Sequence, residues 1–146
     1  MNAVHRSSRR GFSLVELLAV VLVLAVLAAV AIPLYTSQRK SAATRTCKAN
    51  IAAIAAALSG YALRNDSFPA VSGGTVTADC GALVGAAEGL TEIPTCPLDR
   101  DPYTYAASGG GNGRTITCPN VTDHAPYGGT VGLSKVLPPP ASDNLP

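Results

Sequence analysis

The sequence predicts an α+β chain. A long N-terminal α-helix, transmembrane in its first half and amphipathic in its second, packs on a small antiparallel β-containing head tied by disulfides. Three observations predict this. From Phe12 to Tyr35 the only polar interruptions are Ser13 and Glu16, and a helix of about 20 apolar residues crosses a bilayer core. Farther on, Cys47, Ile51, Ile54, Leu58 and Tyr61 recur at helical steps and form one apolar stripe. The remainder carries turn residues throughout and three of the four cysteines, Cys80, Cys96 and Cys118, with Cys47 on the helical stripe.

The apolar run is interrupted by an acid, which sets the main question. A carboxylate inside a membrane segment costs about 2.5–3.5 kcal/mol on insertion scales, so Glu16 calls for a partner. A secretory signal peptide would use the basic start (Arg6, Arg9, Arg10) and a small-residue site at Ala29-Val30-Ala31, and Ser8-Arg9-Arg10-Gly11-Phe12 has the look of a twin-arginine start. The apolar run exceeds the usual 7–15 residues of a signal sequence, and neither reading explains Glu16. A plain membrane anchor is not decided by flanking charge, because Arg39, Lys40, Arg45 and Lys48 balance the arginines on the other side.

The segment Gly11-Phe12-Ser13-Leu14-Val15-Glu16-Leu17-Leu18, with apolar residues to Ile32-Pro33, closely resembles the N-terminus of type IV prepilins and secretion pseudopilins. The resemblance implies that a prepilin peptidase cuts between Gly11 and Phe12 and that Phe12 is then N-methylated. It also implies that Glu16 pairs with the N-terminal amine of a neighbouring subunit. A buried carboxylate beside a buried ammonium is tolerable where either alone is not. Ser13 stands where Thr is commoner in that family.

The expected organisation is a leader at 1–11, a transmembrane or filament-core helix at 12–35, an amphipathic helix at 36–64, a globular head at 65–137 and a Pro-rich tail at 138–146. Pro33 removes a backbone donor and crowds the preceding turn, so a kink is expected there. On the amphipathic part, Arg45 and Asn50 are assigned to the face opposite the stripe. Asn65-Asp66 and Pro69 mark the helix end. In the head, Val71–Thr77 reads as a short strand and Ala82–Leu90 as a short helix. Pro102-Tyr103-Thr104-Tyr105-Ala106 and Arg114–Cys118, joined by a Gly-rich loop, read as a hairpin.

An even number of widely spaced cysteines in an exported chain favours disulfides. Zinc is the rival reading; no pair has C-x-x-C spacing and only His124 adds a nitrogen ligand nearby, so no metal is assigned. The order Cys96-Pro97, Tyr103-Thr104-Tyr105, Cys118-Pro119, His124 resembles a pattern of some pilin-like heads, and with it Cys96 is paired with Cys118 and Cys47 with Cys80. The four cysteines allow three connectivities. His124 is read as a surface or turn residue.

From Asn65 on, three bases face eight acids, which argues against a nucleic-acid surface. No nucleophile stands with His124, so no enzyme and no cofactor are expected. Asp99 and Asp101 flank Arg100, and some heads of the resembled family bind calcium, but two loop acids fall short of the six to eight oxygens calcium takes. The resemblance implies a structural subunit of a type IV pilus serving adhesion, twitching motility or DNA uptake, with a type II secretion pseudopilin as the alternative. Its partners would be further copies, other pilins, the prepilin peptidase, the inner-membrane assembly machinery and, before assembly, the bilayer. It would lie in the inner membrane first, then in an extracellular pilus or a periplasmic pseudopilus.

Overall fold

A computed structural model of the chain describes residues 11–85, 87, 89–109 and 112–138. Leader residues 1–10, including Arg6, Arg9 and Arg10, and tail residues 139–146 lie outside the described residues, as do the two central glycines of the hairpin loop.

Helix α1 spans Leu14–Asn65. It stops where the sequence said it would: Asp66 takes φ 53°, a left-handed conformation that an Asp tolerates and that closes a helix C-terminus. The chain divides into two compact units within α1, Met1–Ser37 and Gln38–Pro146.

In the first unit every described residue is exposed. The Ala-, Val- and Leu-rich surface is apolar all round, the composition of a helix that meets lipid or other helices rather than water. It is the one described helix long and apolar enough to cross a membrane. Helical structure continues through Pro33, which has no N–H to give the carbonyl one turn back. Thr36 donates its hydroxyl to the Pro33 carbonyl at 2.9 Å.

In the second unit α1 buries Thr44, Cys47, Ile51, Ile54, Ala55, Ala57, Leu58 and Ala62. The expected stripe is present, with Tyr61 packed partly buried at its end. Small Ala55, Ala57 and Ala62 are buried beside the stripe. Facing the stripe is a three-stranded antiparallel sheet in the order β1 (Thr104–Ser108), β2 (Gly113–Thr117), β3 (Ser134–Leu137). Tyr105 pairs with Ile116 across β1 and β2. Both point into the core together with Tyr103, Leu83, Leu133 and Leu137. The hairpin is therefore the one the alternation indicated. Gly113, opposite Ser108, has no room for a side chain: a Cβ there would lie 2.8 Å from the Leu137 carbonyl.

Several expectations are corrected. Val71–Thr77 is not a strand. Asp79 Oδ1 accepts from Ser72 N (3.1 Å), Ser72 Oγ (2.8 Å) and Gly73 N (2.6 Å), and Oδ2 accepts from Gly74 N (2.8 Å), folding the segment into a turn. The turn leads into the single-turn helix α2 (Val76–Asp79), which the Thr75 hydroxyl caps. Gly73-N, chiefly, and the Ser72 and Gly74 donors hold the Asp79 carboxyl below its usual range. Among the described residues of 82–90 the only helical turn is the 3-10 turn at Gly81–Leu83; Leu90 bridges Val84 and Gly85. Asn50 is not on an outward face, because its amide donates to Tyr103 Oη (3.2 Å) and the Thr95 carbonyl (3.3 Å).

Two elements were not expected: β3 and helix α3 (Val121–Gly128). Helix α3 lies against α1. A Cβ on Gly128 would stand 2.7 Å from Thr44 Cγ2, while Lys48 Nζ donates to the Gly128 carbonyl at 2.6 Å. The Lys40 ammonium sits 5.1 Å from the centre of the Tyr127 ring.

Candidate functional site

The N-terminal segment carries the first group of candidate residues. Gly11 and Phe12 precede α1, outside the helix and exposed. The Ser13 carbonyl accepts from Glu16 N at 3.1 Å and Leu17 N at 3.2 Å, so Ser13 begins the helix and Glu16 stands in its first turn. Ser13-Leu14-Val15-Glu16 has the S-x-x-E spacing of a capping box. An acid in the first turn gains about 0.3–1 kcal/mol from the helix dipole. A charged carboxylate among apolar surroundings is unfavourable without a partner, so the helix end leaves Glu16 still calling for one.

The second group lies in the core of the second unit. Sγ of Cys47, Cys96 and Cys118 and a ring nitrogen of His124 all lie within 4.8 Å of one another, and all four residues are buried. They come from separate elements. Cys47 is on the α1 stripe. Cys96 opens a tight loop in which its N–H donates to Asp101 O (2.9 Å) and its carbonyl accepts from Arg100 N (2.8 Å), with Arg100 at φ 69°. Cys118 follows β2, its N–H on the Leu133 carbonyl at 2.9 Å. His124 is fully buried on α3, which corrects the reading of it as a surface or turn residue.

Cys96 Sγ is 3.9 Å from Cys118 Sγ and 3.3 Å from His124 Nε2. On the far side of the ring, His124 Nδ1 is 2.9 Å from Thr44 Oγ1. The Thr44 hydroxyl donates to the Lys40 carbonyl at 3.0 Å. With that hydrogen on the Lys40 carbonyl, Thr44 accepts from His124 Nδ1–H, the tautomer that satisfies both contacts and leaves the Nε2 lone pair towards the sulfurs. Burial pushes the Cys96 and Cys118 thiols up to about 11 and raises Cys47 as well. Burial also holds His124 below its ordinary value.

All four cysteines are free thiols in the structure. The suggested partners Cys96 and Cys118 are neighbours. Cys47 joins that same group, and Cys80 stands outside it, beside Tyr105. Near the group, Asp99 is occupied internally: Oδ1 accepts from Asp101 N at 3.0 Å and Oδ2 from the Asn120 amide.

A second polar joint ties the segment after α1 to the hairpin. Arg114 Nε donates to Tyr105 Oη (3.1 Å) and the Pro69 carbonyl (3.3 Å), and Tyr105 Oη donates to the same carbonyl at 3.0 Å. The guanidinium also lies 5.8 Å from the Phe68 ring centre.

Comparison with known proteins places these features. Residues 6–32 match the family model described as the prokaryotic N-terminal methylation motif. Over 117 residues the chain is 33% identical to the type II secretion system core protein G of Pseudomonas aeruginosa, covering 72% of this chain and 78% of that protein. No solved structure matches the chain at a significant level. The matched motif contains Gly11, Phe12 and Glu16, and the match to the secretion protein extends over most of both sequences: the chain belongs to the type IV pilin and pseudopilin family.

Proposed function

We propose that this chain is a structural subunit of a type II secretion pseudopilus, a short periplasmic filament. The observation that carries the reading is the 33% identity to a type II secretion core protein across 78% of that protein's length. The sequence favours a surface pilus subunit with a pseudopilin as the alternative, and the relative supports the alternative at least as well. In this reading the peptidase cleaves between Gly11 and Phe12 and Phe12 is methylated. The apolar half of α1 anchors the subunit in the inner membrane, then packs among its copies in the filament core. Glu16 pairs with the terminal amine of a neighbouring Phe12. Ala19, Ala25, Ala28, Ala29 and Ala31 allow close helix approach, as small residues do in membranes.

The test is deletion of the chromosomal copy followed by assays of both filaments. Loss of protein export across the outer membrane, with surface pili intact, supports the pseudopilin. Loss of surface pili with export intact overturns it in favour of the pilus subunit.

A further inference from the structure

We propose that Cys47, Cys96, Cys118 and His124 Nε2 form a structural zinc site that fastens α1, the Cys96 loop, the end of β2 and α3 to one another. The proposal stands on the second unit alone and is independent of how the filament assembles.

The donor set is the first argument. Three cysteines and one histidine are a complete tetrahedral complement for structural zinc. With Zn–S of about 2.3 Å and Zn–N of about 2.0–2.1 Å, tetrahedral ligand atoms stand about 3.5–3.8 Å apart. Cys96 Sγ and Cys118 Sγ are 3.9 Å apart, and Cys96 Sγ and His124 Nε2 are 3.3 Å apart. Cys80, the one cysteine left out, is not needed to complete the set.

The groups behind the ligands agree. A zinc-bound histidine usually gives its other ring N–H to an oxygen, which fixes tautomer and orientation; Thr44 Oγ1 is that oxygen here, at 2.9 Å from Nδ1. Binding would convert three thiols to thiolates and release three protons, leaving zinc plus three thiolates with a net charge of −1. The Lys48 ammonium, whose field reaches His124 and which is held on the Gly128 carbonyl at 2.6 Å, offsets that charge; Asp99 and Asp123 act the other way.

A disulfide explains less. Joining Cys96 to Cys118 would leave Cys47 buried against the bridge and His124 Nε2 without a ligand to serve. A small Gly-rich head of this kind commonly depends on a staple, and a metal serves as one.

The full-length chain is purified in detergent with reductant and a supply of zinc, dialysed against zinc-free buffer, and its zinc measured per polypeptide. Wild type and Cys80→Ser are expected to retain about one zinc per chain; Cys47→Ser and His124→Ala are expected to fall at least tenfold. Because those variants could unfold, wild type is also loaded with Co(II). Thiolate-to-cobalt charge transfer and the strong ligand-field bands of a tetrahedral site are expected, and they should disappear when zinc is added. Absence of both zinc retention and the cobalt spectrum in folded wild type would overturn the proposal. So would peptide mass analysis showing a disulfide among Cys47, Cys96 and Cys118 in protein alkylated at cell lysis.

Discussion

Thr44 on α1 and His124 on α3 share a buried hydrogen bond of 2.9 Å although they lie 80 residues apart. Both Thr44 contacts are satisfied together when His124 Nδ1 carries the ring proton and the Thr44 hydrogen goes to the Lys40 carbonyl. One hydroxyl thus orients the ring and helps hold the last helix against the first.

Thr44→Val keeps the shape of that contact and removes the acceptor. A buried polar group left without its partner costs about 1–3 kcal/mol. Chemical denaturation of the purified chain should show a loss of that size, and zinc retention, if present, should weaken at the same time. An unchanged midpoint would mean that the Thr44–His124 bond contributes nothing.

Gly128→Ala tests the approach of α3 to α1. The added methyl would stand 2.7 Å from Thr44 Cγ2, and overpacking of a fitted contact costs about 1–3 kcal/mol. Gly81→Ala, where nothing lies within 4 Å, serves as the control and should change stability far less. Equal effects from both would show that the contact is loose.

Asp79 predicts a pH dependence. Its carboxyl is held below the ordinary value, first by Gly73 N–H and then by the Ser72 and Gly74 donors. A depressed folded value stabilises above the unfolded value, about 3.9 for Asp, and that contribution is lost as pH falls through the folded one. Wild type should therefore melt above Asp79→Asn at neutral pH, and the gap should close progressively below about pH 4. A gap that persists into acid would assign the effect to packing.

Arg114→Met should loosen the joint between Pro69 and the hairpin. The side chain supplies donors to the Pro69 carbonyl and Tyr105 Oη, and hydrogen bonds involving a charged group contribute about 1.5–3 kcal/mol each. Hydrogen exchange at residues 66–74 should accelerate relative to α1. Exchange that stays at the wild-type rate would show that Tyr105 alone suffices.

Much of the architecture was legible because its signals are long and periodic. The apolar run through Ile32 and the Cys47–Leu58 stripe each repeat over several turns, and Tyr103–Tyr105 and Ile116 alternate around a glycine-rich loop. What was missed has short or non-local signals. Strand β3 buries only Leu137, so it shows no alternation. Helix α3 contains Pro126 and buries only His124, which reads as a polar turn. Asp79 reverses the 71–77 segment through hydrogen bonds that no propensity encodes. The Cys–His group is the clearest case: Cys96 stands 22 residues from Cys118 and 28 from His124. Metal motifs are recognised by short local spacings, and here the convergence exists only once the sheet and α3 have formed. Asn50 was misplaced for a related reason, since its partner Tyr103 belongs to a strand that helical periodicity does not see.

The most direct test of the assembly reading is the mass of the chain's N-terminus, measured in membranes and in sheared surface material, for wild type and for Glu16→Ala. An N-methylated Phe12 in membranes, with little of the chain in the sheared fraction, is predicted for a pseudopilin. Glu16→Ala should remain processed and inserted yet fail to cross-link to neighbouring copies. A terminus at Met1, or one near Ile32, would contradict processing between Gly11 and Phe12 and leave an ordinary anchor or signal sequence in its place.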